Sequence, residues 1–139
     1  MVSTHRFRRD LPEVPDARTF VAAAVEAEGR PVTDDVLLVA SELVTNAVRH
    51  GQGEVEVRVD VGPGSVRLEV LDEGHVVVPE PPGIMPVDGP GGWGLHLVRA
   101  VSHAWGSGLD QRGRTLVWAE VGLPAPRLAG IPPAFSTRR

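Results

Sequence analysis

Residues 33–51 read TDDVLLVASELVTNAVRHG, and this stretch decides the fold. Thr33 has a hydroxyl able to cap a helix, and Asp34 and Asp35 suit the positive end that follows it. Val36, Ala40, Leu43 and Ala47 recur at steps of three and four, so they share one buried face. Gly51 stops the helix. Three polar residues, Glu42, Asn46 and His50, stand four apart. At 100° per residue they form one line along the edge of that apolar face, where side chains can look into a pocket.

Toward the C-terminus the period changes from helical to two. Val55, Val57 and Val59 alternate with Glu54, Glu56, Arg58 and Asp60, and Val66, Leu68 and Val70 alternate with Arg67 and Glu69. The turn Gly62-Pro63-Gly64-Ser65 between them predicts an antiparallel hairpin, with Asp72 where its second strand ends. From Glu73 to Gly92 half the positions are glycine or proline. That predicts a long loop, and loops of this length in a compact domain are functional lids or disordered. An amphipathic helix follows, with Leu95, Val98, Val101 and Trp105 in step. Two more strands flank the turn Gln111-Arg112-Gly113, the second running over about 115–121. Toward the N-terminus, Pro15 and Asp16 open a helix with Phe20, Val21, Ala24 and Val25 at helical spacing and Gly29 as its stop. The order is strand or coil, helix, helix, hairpin, loop, helix, hairpin. It predicts an α+β two-layer sandwich with a mostly antiparallel sheet. One domain is expected over 1–122, with a disordered Pro/Arg-rich tail over 123–139.

Composition removes several functions. The 139 residues suit a single domain, 42% hydrophobic and 23% charged, as expected of a globular protein. With no cysteine there is no disulfide, thiolate nucleophile or cysteine-held metal. All 14 basic residues are arginine. A phosphate-binding P-loop and a eukaryotic-type protein kinase both need a lysine, so both are excluded. A net charge of −4 without a basic stripe argues against nucleic acid as a direct partner. No apolar run reaches the ~18 residues that would cross a bilayer, and the arginines of 1–10 precede no apolar segment, so a cytoplasmic protein is expected.

Taken singly, the candidate motifs are ambiguous. Glu42 alone reads as part of a solvated stripe, whereas a mid-helix Asn such as Asn46 is mildly unfavourable and wants a reason. Asp72-Glu73-Gly74 reads as a strand-ending turn, or as a carboxylate accepting from an exocyclic amine beside a glycine that lets a flat ring approach. Gly91-Gly92-Trp93-Gly94-Leu95 opens a helix, either as a plain turn or as free amides suited to phosphate. It is not GxGxxG, and it follows a loop rather than a strand, so a dinucleotide fold is disfavoured.

In combination they are specific. Glu-Leu-Val-Thr-Asn-Ala-Val-Arg-His at 42–50, Asp-Glu-Gly at 72–74 and Gly-Trp-Gly-Leu at 92–95 stand in the order of the ATP-binding family shared by gyrase, heat-shock-90 chaperones and histidine kinases. The chain resembles the bacterial anti-sigma serine kinase branch of that family over roughly 17–121. Trp105-Gly106 and the strand around 115–120 add to the likeness. The resemblance implies the Bergerat-type ATP-binding fold, with helices on one face of the sheet, and ATP and Mg²⁺ as cofactors. Asn46 would hold Mg²⁺ through its side-chain oxygen, with phosphates and waters completing an octahedron. Glu42 would be the base that deprotonates a serine hydroxyl or water. Asp72 would accept from the adenine amino group, Gly74 would make room for the base, and Thr115 would add a hydroxyl contact. Gly92, Gly94 and Leu95 would meet the phosphates at the helix start as the loop closes. His50 would cap its helix end.

The resemblance also implies protein partners, a sigma factor or an antagonist phosphorylated on serine, and it allows a homodimer. The sequence departs from it at Trp93, where kinases of this branch often carry a basic residue near the terminal phosphate. No arginine lies between Arg67 and Arg99. Charge neutralisation is a large part of phosphoryl-transfer catalysis, so an ATP-binding interaction module with little kinase activity is the alternative.

Overall fold

The computed structural model describes residues 2–8, 14–74 and 92–126, with side chains from 97 onward in the last stretch. Strand β1 is Val2–Phe7, followed by helices α1 (Val14–Ala27) and α2 (Asp34–His50). The hairpin is β2 (Val55–Val61) and β3 (Ser65–Asp72). Helix α3 is Gly92–Val101, and β4 (Ala104–Leu109) and β5 (Thr115–Gly122) form the second hairpin. The five strands make one sheet in the order β1-β2-β3-β5-β4, every neighbour antiparallel. The α+β expectation holds, and the N-terminal stretch is a strand, paired with β2 from Val2 opposite Asp60 to Phe7 opposite Val55.

Alternation in the strands divides the sheet into two faces. Val55, Val57 and Val59 of β2, Val66, Leu68 and Val70 of β3, and Ala119 and Val121 of β5 are buried under the helices. Helix α1 supplies Ala17, Val21, Ala24 and Val25 to the same core, and α2 supplies Val36, Val39, Ala40, Leu43, Val44, Ala47 and Val48. Each such valine or leucine contributes ~1.5–3 kcal/mol by leaving water. Helix α2 lies centrally, packed against α1, α3 and the sheet. Thr33 caps it as expected, its hydroxyl accepting from the Val36 amide at 3.3 Å. Gly29 ends α1 with φ +74°, a conformation that disfavours any other residue.

The opposite face carries charge. Arg58 lies 2.7 Å from Glu56 and 3.6 Å from Glu69, and Arg67 lies 2.8 Å from Glu69 and 3.1 Å from Glu120. The Arg67 guanidinium also stacks over the Trp118 ring at 4.1 Å.

Two expectations change. Trp105 does not continue the α3 stripe: the helix ends at Val101, and Trp105 stands in β4 opposite Ala119. The His103 amide donates to the Glu120 carbonyl at 2.8 Å and draws the chain into the sheet. Trp105 still packs on the core, so its spacing mimics a helical one. The packing also runs past residue 122. Leu123 is buried, its amide donates to Gly64, and the Pro124 carbonyl accepts from Arg30 at 2.8 Å. The rest of the expected tail, from 127, lies outside the described residues, as does most of the expected loop, 75–91.

Candidate functional site

Asp72 ends β3 on the helix side of the sheet, and only 6% of its surface is exposed. A carboxylate so placed needs hydrogen-bond partners. Its Oδ1 accepts from the Gly74 amide at 2.8 Å and from the Gln52 amide at 3.3 Å. The second donor comes from the chain leaving α2, twenty residues earlier. That junction is fastened again by the Glu73 amide, which donates to the Gln52 carbonyl at 2.8 Å. Gly53 adopts φ +71°, and a Cβ there would run into the Glu73 carboxyl. The C-terminal end of α2 and the end of β3 are therefore one joined unit.

Thr115 begins β5 directly opposite Asp72. Its hydroxyl donates to the Gly74 carbonyl at 2.8 Å, which commits its proton while leaving its oxygen able to accept. Gly74 is thus held from both sides, and a Cβ on it would lie 2.9 Å from Asp72 Oδ1. Thr115, 41 residues beyond Gly74, is thus brought beside Asp72 and Gly74.

Glu42 and Asn46 are half-buried on α2, one turn apart, and His50 beyond them is exposed. Among the described residues no partner is given to the side chain of Glu42 or Asn46. Gly92 opens α3 and Gly94 lies in its first turn, so their amides are among those without an intrahelical acceptor. The side chains of Trp93 and Leu95 lie outside the described residues.

A divalent metal fits this donor set in one way. No group of three or more His, Asp or Glu side chains converges among the described residues. A hard cation here would rest on few protein ligands, such as the Asn46 oxygen, with most of its shell from phosphates and water.

The sequence reading missed two parts. The Gly51-Gln52-Gly53 segment reads as a helix stop, and no spacing rule joins it to Asp72. The second part is an ionic cluster on the opposite face. Arg114 reaches Glu56 at 3.0 Å and Asp110 at 2.8 Å, next to the chain position of Thr115. Burial pushes the Glu56 carboxyl up, but hydrogen bonds and charge from Arg58 and Arg114 outweigh it and hold it below the usual carboxylate range. Asp110 is likewise lowered: slight desolvation opposes the shift, and bonds from the Arg114 and Arg112 amides and the Arg114 side chain prevail.

A buried carboxylate at a strand end is thus joined to the central helix that carries Glu42 and Asn46. The histidine kinase-like ATPase domain family matches residues 7–119, and the chain belongs to that family. Its fold is similar to the crystal structure of the RsbU and RsbW domains of Rv1364c from Mycobacterium tuberculosis, with a TM-score of 0.61. The two share 20% identity over 91% of this chain and 35% of that one, a likeness of fold. The chain thus spans about a third of that neighbour's length. No curated protein matches its sequence significantly.

Proposed function

We propose that this chain binds Mg·ATP and regulates a protein partner in the manner of an anti-sigma factor, by phosphorylating a serine of an antagonist. The observation that carries the proposal is the buried Asp72 carboxylate, one oxygen held by two amides, joined to the helix that bears Glu42 and Asn46. Asp72 accepts from the adenine amino group. Gly74, held open by Thr115, leaves the ring room to lie against the backbone. Asn46 offers its side-chain oxygen to Mg²⁺, which when bound neutralises phosphate charge. The α3 amides at Gly92 and Gly94 face the phosphates. Glu42 takes the proton of the serine hydroxyl as that oxygen bonds to the terminal phosphorus and the bond to ADP breaks. A solved neighbour that carries RsbU and RsbW domains in one chain supports a setting with protein partners. No described helix is long and apolar enough to cross a membrane. The proposed role, on cytoplasmic transcription partners, puts the protein in the cytoplasm.

A second reading rests on Trp93. With no lysine in the chain, nothing basic stands in that glycine-rich turn, and without an arginine from a partner the protein is an ATP-gated binding module.

Two substitutions separate binding from chemistry. Glu42→Ala removes the base and no expected ATP contact, so Mg·ATP affinity stays within about twofold while transfer falls roughly 10²–10⁴-fold. Asn46→Ala weakens Mg·ATP binding as well. Calorimetry and radiolabel transfer to a candidate antagonist read both, after circular dichroism confirms folding. Full transfer by Glu42→Ala would return Glu42 to a solvated helix stripe. Absence of transfer by the wild type, with ATP bound, would favour the binding module.

A further inference from the structure

Gly51 was expected only to stop α2. In the structure its α-carbon lies against the Asp72 carboxylate. A Cβ there would lie 2.5 Å from Asp72 Cγ, 2.6 Å from Asp72 Oδ2 and 2.6 Å from the Ala47 carbonyl oxygen. Its φ of −93° and ψ of −167° are open to any residue, so backbone conformation does not require glycine here. Space does. The Gly51 amide is itself committed to the Ala47 carbonyl at 2.9 Å, which fixes the α-carbon in place.

The two carboxylate oxygens therefore differ. Oδ1 already holds the Gly74 and Gln52 amides. Oδ2 is the acceptor left for a donor on a ligand, and it lies over the Gly51 α-carbon, which has no side chain. We propose that Gly51 is a specificity-determining position of the base site: its missing side chain lets Asp72 be clamped with Oδ2 presented as a fixed acceptor, which selects purines with an amino group at position 6. This rests on the reading of Asp72 as the base-recognising group. A carboxylate that could swivel would find a compromise with a 6-oxo purine. One held by two amides presents a lone pair to that oxygen and rejects it.

The inference is tested on the full chain with two nucleotides that share ribose and triphosphate, ATP and inosine triphosphate, whose purine carries oxygen in place of the amine. Wild type should prefer ATP by at least about tenfold, the loss expected for one unmatched hydrogen bond to a charged group. Gly51→Ala should bind inosine triphosphate about as well as wild type does, bind ATP about tenfold more weakly, and so lose the preference. Gln52→Pro removes one amide donor while residue 51 keeps no Cβ, so it should lose part of the preference. It also serves if Gly51→Ala does not fold.

A readout without nucleotide comes from amide exchange. The Gln52 and Gly74 amides should exchange slowly in the free wild type, and faster in folded Gly51→Ala while the Val57 and Leu68 amides keep their protection. Both variants keeping the wild-type preference would overturn the role of Gly51 while leaving Asp72 as the base acceptor. Unprotected Gln52 and Gly74 amides in the wild type would overturn the clamp directly. A wild type that binds both nucleotides equally, unaltered by Asp72→Asn, would remove the reading of Asp72 and this inference together.

Discussion

Asp72 brings a negative charge into a place that is 94% closed to water, and the fold compensates with two backbone amides on one oxygen. Such charge-assisted bonds are about twice as strong as neutral ones, so the carboxylate is pre-set before any ligand arrives. Asp72→Asn keeps the shape but puts an amide nitrogen where an acceptor stood. It should weaken ATP by ~1.5–3 kcal/mol, the range for a hydrogen bond to a charged group. Calorimetry with ATP and GTP checks this, since guanine would turn a carbonyl oxygen toward Asp72. Equal wild-type affinities for the two would defeat the assignment. Asp72 was legible from its place after a hydrophobic strand, and Glu42 and Asn46 from their spacing. The donors that hold Asp72 were not legible, because a backbone amide carries no side-chain signature and Gln52 lies twenty residues away.

At the scale of elements, α2 matters most. It presents an apolar stripe to the core, a polar border to the site, and a C-terminal end fastened to β3. Its N-terminal cap was readable as a pattern of residue types, and the structure supplies the bond from the Val36 amide to Thr33. Thr33→Ala should cost about 1 kcal/mol of unfolding free energy, measured by urea denaturation, because one amide of the first turn loses its acceptor. A loss below a few tenths would mean that water replaces the cap fully. Helix α3 shows where element reading fails. Val98 is fully buried and Val101 half-buried, so the apolar step continues convincingly to Trp105. The chain nevertheless turns at Ser102, because β5 offers the Glu120 carbonyl to His103. A side chain three or four residues onward can reach the same core from a strand as from another helical turn.

Across the whole molecule, the sheet joins two unlike faces. The helix side holds the core and the site. The outer side is tied by a ladder of arginines and carboxylates centred on Glu56, whose side chain is 8% exposed. Burial raises the pKa of that carboxyl and the arginines lower it by more, so its folded value lies below its unfolded one. Its stabilising effect is therefore present above the ordinary carboxylate value of about 4.3 and is lost as pH falls through the lower folded value. Glu56→Gln should cost about 1–3 kcal/mol at pH 7. Thermal melting of variant and wild type should converge as the pH falls through the lowered folded value. A gap that stays constant across that range would assign the loss to packing and not to charge.

Local chemistry carried far in this protein. Period-two valines, helical stripes with their stops, and turns of glycine and proline determine α1, α2, β2, β3 and β5 with little ambiguity, because each is a short-range consequence of side-chain shape and burial. The candidate site's side chains, Glu42, Asn46, Asp72 and Thr115, are likewise visible in the chain. What only the tertiary structure decided is adjacency. Strand β5 enters between β3 and β4, and β1 closes the sheet beside β2. That order sets Thr115 opposite Asp72 and lays the Asp72 carboxylate on Gly51. Periodicity records which face a side chain takes. Which backbone amide a buried carboxylate finds depends on how all the faces pack at once.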